Sequence, residues 1–258
     1  MIPKKIHYCW FGGNPLPKLA KKCIKSWKRY CPDYEIIRWD ESNFDIASAP
    51  LYVQQAYNAK KWAFVTDYVR LCAMVTQGGI YMDTDVEVVK SLDSFLQHEA
   101  FSGFEVDTHI STGVMACEKG FSLFKEFLDY YNDAVFIRDD GTYNQTTNVI
   151  IMTDIAKKYG LKQDGTYQII NGMALYPEEY FCPLDFNLCL HNTENTHTIH
   201  WFAASWESEE YQASLGRKRK LRQKAERRDK IRYFSKRLFR KFIGDEKVEA
   251  LKIKLKRK

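Results

Sequence analysis

The chain has 258 residues, of which 45% are hydrophobic, 15% aromatic and 28% charged, with a net charge of +6. This composition excludes an intrinsically disordered or collagen-like chain and supplies ample area for a core, since each buried aromatic removes roughly 150–250 Å² from water. No uninterrupted apolar run reaches the roughly 18 residues of a membrane span, and Met1-Ile2-Pro3-Lys4-Lys5 lacks the apolar stretch of a secretory signal, so a cytoplasmic protein is expected.

In chain order, Lys5-Ile6-His7-Tyr8-Cys9-Trp10 reads as a short strand broken by Gly12-Gly13-Asn14-Pro15. Leu19, Cys23, Trp27 and Tyr30 then recur at helical spacing up to Pro32, and Tyr34 to Trp39 resumes as a strand, giving β-α-β. The clearest helix covers 62–77, with a glycine C-cap at Gly78-Gly79, followed by the apolar strand Ile80-Tyr81-Met82 and an extended piece through Val86, Val88 and Val89. Further strands are predicted at 100–104, 112–117, 167–170 and 197–202, and helices at about 120–132 and 145–160. Alternating strands and helices predict an α/β sheet with its ligand beyond the strand ends.

Charge is unevenly spread. Residues 216–258 hold 20 of the 39 Lys+Arg but 5 of the 33 Asp+Glu, so an acidic body, residues 1–215, carries a basic tail, residues 216–258. In that tail Ile231, Phe234, Leu238 and Phe242, widened by Phe239 and Ile243, form an apolar stripe among Arg232, Lys236, Arg237, Arg240 and Lys241. Such a helix can lie in the interface of an anionic membrane. Packing on the body, or a homodimer contact, is the alternative use of the stripe. The seven cysteines form no C-x-x-C pair and are odd in number, so neither a zinc knuckle nor a complete disulfide framework is indicated, and buried reduced thiols are expected.

Three groups of residues and one tryptophan could carry chemistry. Asp83 and Asp85 flank Thr84 directly after an apolar strand, so both carboxylates can project from a strand end as hard ligands for Mg²⁺ or Mn²⁺. Two solvated carboxylates in a turn are the plainer alternative. On the preceding helix Asp67 and Arg70 share one face; the guanidinium can fork onto a phosphate or sugar hydroxyl, or the two can be an ordinary exposed ion pair. Late in the body, Ile199-His200-Trp201-Phe202-Ala203-Ala204-Ser205-Trp206 offers one imidazole that can complete a metal site and a Ser205-Trp206 pair that can close over it, against the plainer reading of a core histidine. Trp10 can stack on a flat base or fill the core.

Four segments agree in order and spacing with a known pattern: IHYCWFGG, WAFVTDYVRLCAMVTQGGIYMDTDVEVV, YPEEYFCP and NTHTIHWFAASW. Over roughly residues 2–206 the chain resembles glycosyltransferase family 32, bacterial polysaccharide-synthesis branch, and more distantly the clostridial glucosylating toxins. The resemblance implies a GT-A fold with a mixed central sheet and a Mn²⁺-dependent (or Mg²⁺-dependent) transfer of a hexose from a nucleotide sugar, UDP-sugar favoured, with retention of anomeric configuration. It implies that Trp10 stacks on the base, that Asp67 and Arg70 hold donor hydroxyls, and that Asp83 contacts ribose or sugar and the metal shell. Asp85 would bind the metal directly, His200 would be the C-terminal metal or diphosphate ligand, and Ser205 and Trp206 would contact the diphosphate as a closing loop. The expected acceptor is a glycan, in capsular or exopolysaccharide synthesis a lipid-linked oligosaccharide, met by a peripheral enzyme on the inner face of the cell membrane. The chain departs from many relatives in having Trp201 after His200, where they have a second histidine, and in lacking Thr-Gly-Pro around Thr146-Thr147-Asn148.

Other readings compete. Ile80-Tyr81-Met82-Asp83-Thr84-Asp85-Val86 also fits a haloacid-dehalogenase-type phosphatase with Asp83 as nucleophile and Asp85 as general acid, although that fold places the motif near the N-terminus. A protein-glucosylating, toxin-like transferase keeps the chemistry and changes the acceptor. A polyanion-binding module makes the basic tail the main feature, but the acidic body argues against nucleic acid as the partner.

Overall fold

The computed structural model describes residues 1–105, 108–185 and 187–204, and, further along, residues 210, 211, 213–222, 224, 227 and 228. The chain divides into two units, Met1–Trp206 and Glu207–Lys258. In the second, residues 213–222 are helical. The apolar stripe of the tail, from Ile231 onward, lies outside the described residues, as do Ser205 and Trp206.

The first unit begins with β1 (Lys5–Cys9), α1 (Lys18–Tyr30) and β2 (Glu35–Trp39), the β-α-β unit read from the sequence. Helix α1 buries Ala20, Cys23 and Trp27 along one stripe. After α2 (Leu51–Asn58), α3 (Trp62–Gln77) leads into β3 (Gly79–Met82) and β4 (Val86–Val88). Then follow β5 (Ala100–Glu105), β6 (His109–Cys117), α4 (Ser122–Asp129), α5 (Asn148–Lys157), β7 (Gln168–Ile170), β8 (Met173–Tyr176), α6 (Glu178–Phe181) and β9 (Thr198–His200).

Among the described residues seven strands form one sheet in the order β2-β1-β3-β6-β5-β8-β7, and β4 pairs with β9 in a small second sheet. β1 runs parallel to β2 and β3, β6 antiparallel to β3 and β5, and β8 parallel to β5, so the central sheet is mixed, as expected. Period-two alternation divides the core between the two faces. Cys9, Tyr81, Met115 and Cys117 join one cluster with Phe64, Val65 and Leu71 of α3, while Tyr8, Ile80, Met82, Val114 and Ala116 join the other with Cys23 and Trp27 of α1. Because both faces are covered, β3 is buried throughout, which is why its sequence reads as a continuous apolar run.

Parallel β1, β2 and β3 deliver their carboxyl ends to one edge of the sheet. With His7 opposite Tyr81 and Cys9 opposite Trp39, Trp10 and Asp83 both emerge there. That edge of an open α/β sheet is where ligands bind. Gly78, the C-cap of α3, has φ +67° and ψ −178°, a positive-φ backbone that glycine adopts without strain. A β-carbon on Gly78 would stand 2.6 Å from the Lys119 amide nitrogen, a close approach that requires glycine.

Three elements escaped the sequence reading: α2, β8 and α6. The helix expected over 120–132 ends as α4 followed by a 3-10 turn at Tyr130–Asn132, and the helix expected over 145–160 is the shorter α5. All seven cysteines are unpaired. Among the described residues no helix is long and apolar enough to cross a membrane.

Candidate active site

Helix α3 lies against β1, β3 and β6, and it brings two charged side chains into the interior. Asp67 and Arg70 are both buried, which removes the exposed-ion-pair alternative. The Arg70 guanidinium is 3.3 Å from Asp67 Oδ1 and 3.4 Å from Asp83 Oδ1, joining the helix pair to the Asp83-Thr84-Asp85 motif. It also donates to the Thr112 carbonyl at 3.0 Å and sits over the Tyr81 ring, 4.7 Å from its centroid. Burial works against its charge, and Asp83, Tyr81 and Asp67 overcome that, leaving its pKa raised. For Asp67 the balance is opposite: burial pushes the carboxyl up to about 6 against the pull of Arg70.

Asp83 follows β3, and its amide donates to the Gly113 carbonyl, which extends the β3–β6 ladder by one bond. Its Oδ1 accepts from the Tyr81 hydroxyl at 2.9 Å and faces Arg70. Asp85 is held differently. Its Oδ2 accepts from the Ala203 amide at 2.6 Å and its Oδ1 lies 3.4 Å from His200 Nε2. Burial disfavours the Asp85 carboxylate, but the neighbouring imidazolium and the Ala203 amide hold its pKa down to about 2. Burial also disfavours charge on His200, yet Asp85 raises its pKa well above the ordinary value.

β4 and β9 explain how residues so far apart in sequence meet. Val86 pairs with His200 in their antiparallel ladder, so the residue after Asp85 fixes the register of the imidazole. Phe202 and Ala204 just beyond have φ of +46° and +50°, a left-handed backbone that non-glycine residues rarely adopt and that clusters at functional sites. One ligand atom each from Asp83, Asp85 and His200 lie within 4.8 Å of one another. Two carboxylates and an imidazole suit Mn²⁺, which accepts oxygen and nitrogen donors.

Trp10 is half-buried at the same sheet edge, with its indole N–H donating to the Asn14 carbonyl at 2.6 Å. His7, by contrast, is a core residue. Its ring bonds to the Gly78 carbonyl and to the Trp39 indole, and burial lowers its pKa to about 4.

Several supporting residues were missed in the sequence. Asn148, the first residue of α5, donates its side-chain amide to the Asp67 carbonyl at 2.8 Å and accepts from the Tyr131 hydroxyl at 2.6 Å. Gly113 gives the His200 ring its room, for a β-carbon there would stand 2.7 Å from His200 Nδ1. An -S-T-G- segment inside an apolar strand was the available sign, since glycine in a strand interior marks a close approach.

Known proteins share parts of this chain. A stretch covering 46% of it is 34% identical to inositol phosphoceramide mannosyltransferase 3 of Schizosaccharomyces pombe, and spans 34% of that protein's length. An uncharacterized glycosyltransferase, L373, of Acanthamoeba polyphaga mimivirus is 26% identical over 80% of this chain and 84% of its own. Among solved structures, the PaToxG glycosyltransferase superposes with a TM-score of 0.48 at 18% identity, covering 61% of this chain and 69% of that one. Residues 17–102, which run from α1 into β5 and contain Asp67, Arg70, Asp83 and Asp85, match the family described as the glycosyltransferase sugar-binding region containing DXD motif.

Proposed function

We propose that the chain is a GT-A glycosyltransferase that moves a hexose from a nucleotide sugar to a glycan acceptor, depends on a divalent metal and retains anomeric configuration. The observation that carries this reading is the convergence of Asp83, Asp85 and His200 at the carboxyl end of β3, within 4.8 Å. These three residues would hold Mn²⁺. When bound, the cation would neutralise charge developing on a departing diphosphate.

The chain's own residues do the rest. Arg70 fixes the Asp67 and Asp83 carboxylates through one guanidinium, so both are positioned before a donor arrives, and Asp67 and Asp83 then accept from donor hydroxyls. Trp10 stacks on the base. His200, oriented by β4–β9 pairing, adds a positive or metal-ligating group at the diphosphate, with Ser205 and Trp206 as further contacts. Pairing of this kind, preorganised and poorly hydrated, is where electrostatic stabilisation of a transition state is strongest. An inverting enzyme needs a carboxylate base on the face opposite the leaving group, whereas the family resemblance supports retention, which needs none there.

A UDP-sugar is the proposed donor. GDP-mannose is the second reading, supported by the likeness to a protein named as a mannosyltransferase. A lipid-linked oligosaccharide is the proposed acceptor, with residues 216–258 as a basic tail that holds residues 1–215 at an anionic cytoplasmic leaflet. A thermal-shift panel of UDP, GDP and their sugars with Mn²⁺ tests the donor. Stabilisation by uridine nucleotides is expected, and stabilisation by GDP alone overturns that choice. NMR of the product from an α-linked donor should show an α linkage; a β linkage contradicts retention.

A further inference from the structure

His200 belongs to two groups of potential metal ligands. One is the trio with Asp83 and Asp85; the other joins it to Glu105 at the end of β5 and Cys182 after α6, again with one ligand atom from each within 4.8 Å of the others. The two edges of the ring differ. Nε2 faces Asp85 Oδ1, whereas Nδ1 is buried without a hydrogen-bond partner. The residue is only 9% exposed and Cys182 2%, so water has little access. An unpaired polar atom in such a place costs free energy, and native structures seldom keep one without a reason.

Sulfur, nitrogen and oxygen donors from three residues are a donor set of the zinc type. The sulfur separates it from the Asp83–Asp85 pair, because thiolate favours Zn²⁺ over Mn²⁺ or Mg²⁺.

We propose that Glu105, Cys182 and Nδ1 of His200 form a second cation site, for a thiophilic divalent ion of the Zn²⁺ class, which shares the imidazole with the Asp83–Asp85 pair. A neutral imidazole has one lone pair. Coordination through Nδ1 leaves the proton on Nε2, pointed at Asp85, so an ion in the second site withdraws His200 from the first. Zn²⁺ therefore antagonises Mn²⁺-dependent donor binding, a consequence that rests on the function proposed above, whereas the existence of the site does not.

The test uses the full chain, stripped with a chelator, kept reduced with a phosphine and titrated with Co²⁺. One equivalent should bind with thiolate-to-cobalt charge-transfer absorption, which Cys182→Ser abolishes and Cys189→Ser retains. Cys189 is the control because it stands with Asp185 and His191 in a third, more exposed group. Absence of the band, its survival in Cys182→Ser, or its loss in Cys189→Ser overturns the proposal. If Cys182→Ser does not fold, X-ray absorption on Zn²⁺-loaded Cys189→Ser decides: one sulfur scatterer at about 2.3 Å supports the site and none overturns it.

Discussion

Asp67 is a buried carboxylate whose ionisation costs stability. Its folded pKa, about 6, lies above the roughly 3.9 of an unfolded aspartate, so between those values the folded state binds the extra proton and stability falls as pH rises. Asp67→Asn removes that dependence. Above pH about 6 the variant should be more stable than the wild type by about 1–3 kcal/mol, at roughly 1.4 kcal/mol per pKa unit, with the gap closing below pH 4. Urea unfolding across pH 4–7 reads this out, and parallel curves would refute it. Gly113→Ala should act in the other direction, forcing the His200 ring aside and costing about 1–3 kcal/mol by overpacking, together with metal-dependent nucleotide binding. Melting temperature and nucleotide titration on the same preparation check both effects.

Between elements, the site depends on long-range joints. α3 is tied to α5 by Asn148, and removing its side chain in Asn148→Ala leaves the Asp67 carbonyl and the Tyr131 hydroxyl without these partners in a buried place. A loss of about 1–3 kcal/mol per unsatisfied group is expected in chemical denaturation, and an unchanged midpoint would dismiss the joint. The same joints set what was legible in the sequence. Asp83 and Asp85 stood out because an apolar strand covered on both faces ends at them, and Asp67 and Arg70 because helical spacing puts them together. Asn148 reaches Asp67 across 81 residues and in turn holds Tyr131, a packing between distant segments that no local pattern encodes. α2, β8 and α6 were missed because each is short.

For the whole molecule, charge asymmetry is the feature that composition foretold, with a basic tail on an acidic body. A chain ending near residue 215 should keep nucleotide binding and lose co-sedimentation with anionic liposomes at low salt, where attraction is least screened. Equal sedimentation by both lengths would remove the membrane role. The central claim is that Asp83, Asp85 and His200 make nucleotide binding depend on a metal. Its most direct test is calorimetric titration of UDP into the wild type and Asp85→Ala, each with Mn²⁺ and with chelator, after circular dichroism has shown that the variant is folded. Binding is predicted for the wild type with Mn²⁺ alone; equal binding in chelator, or unaltered binding by folded Asp85→Ala, would contradict the account.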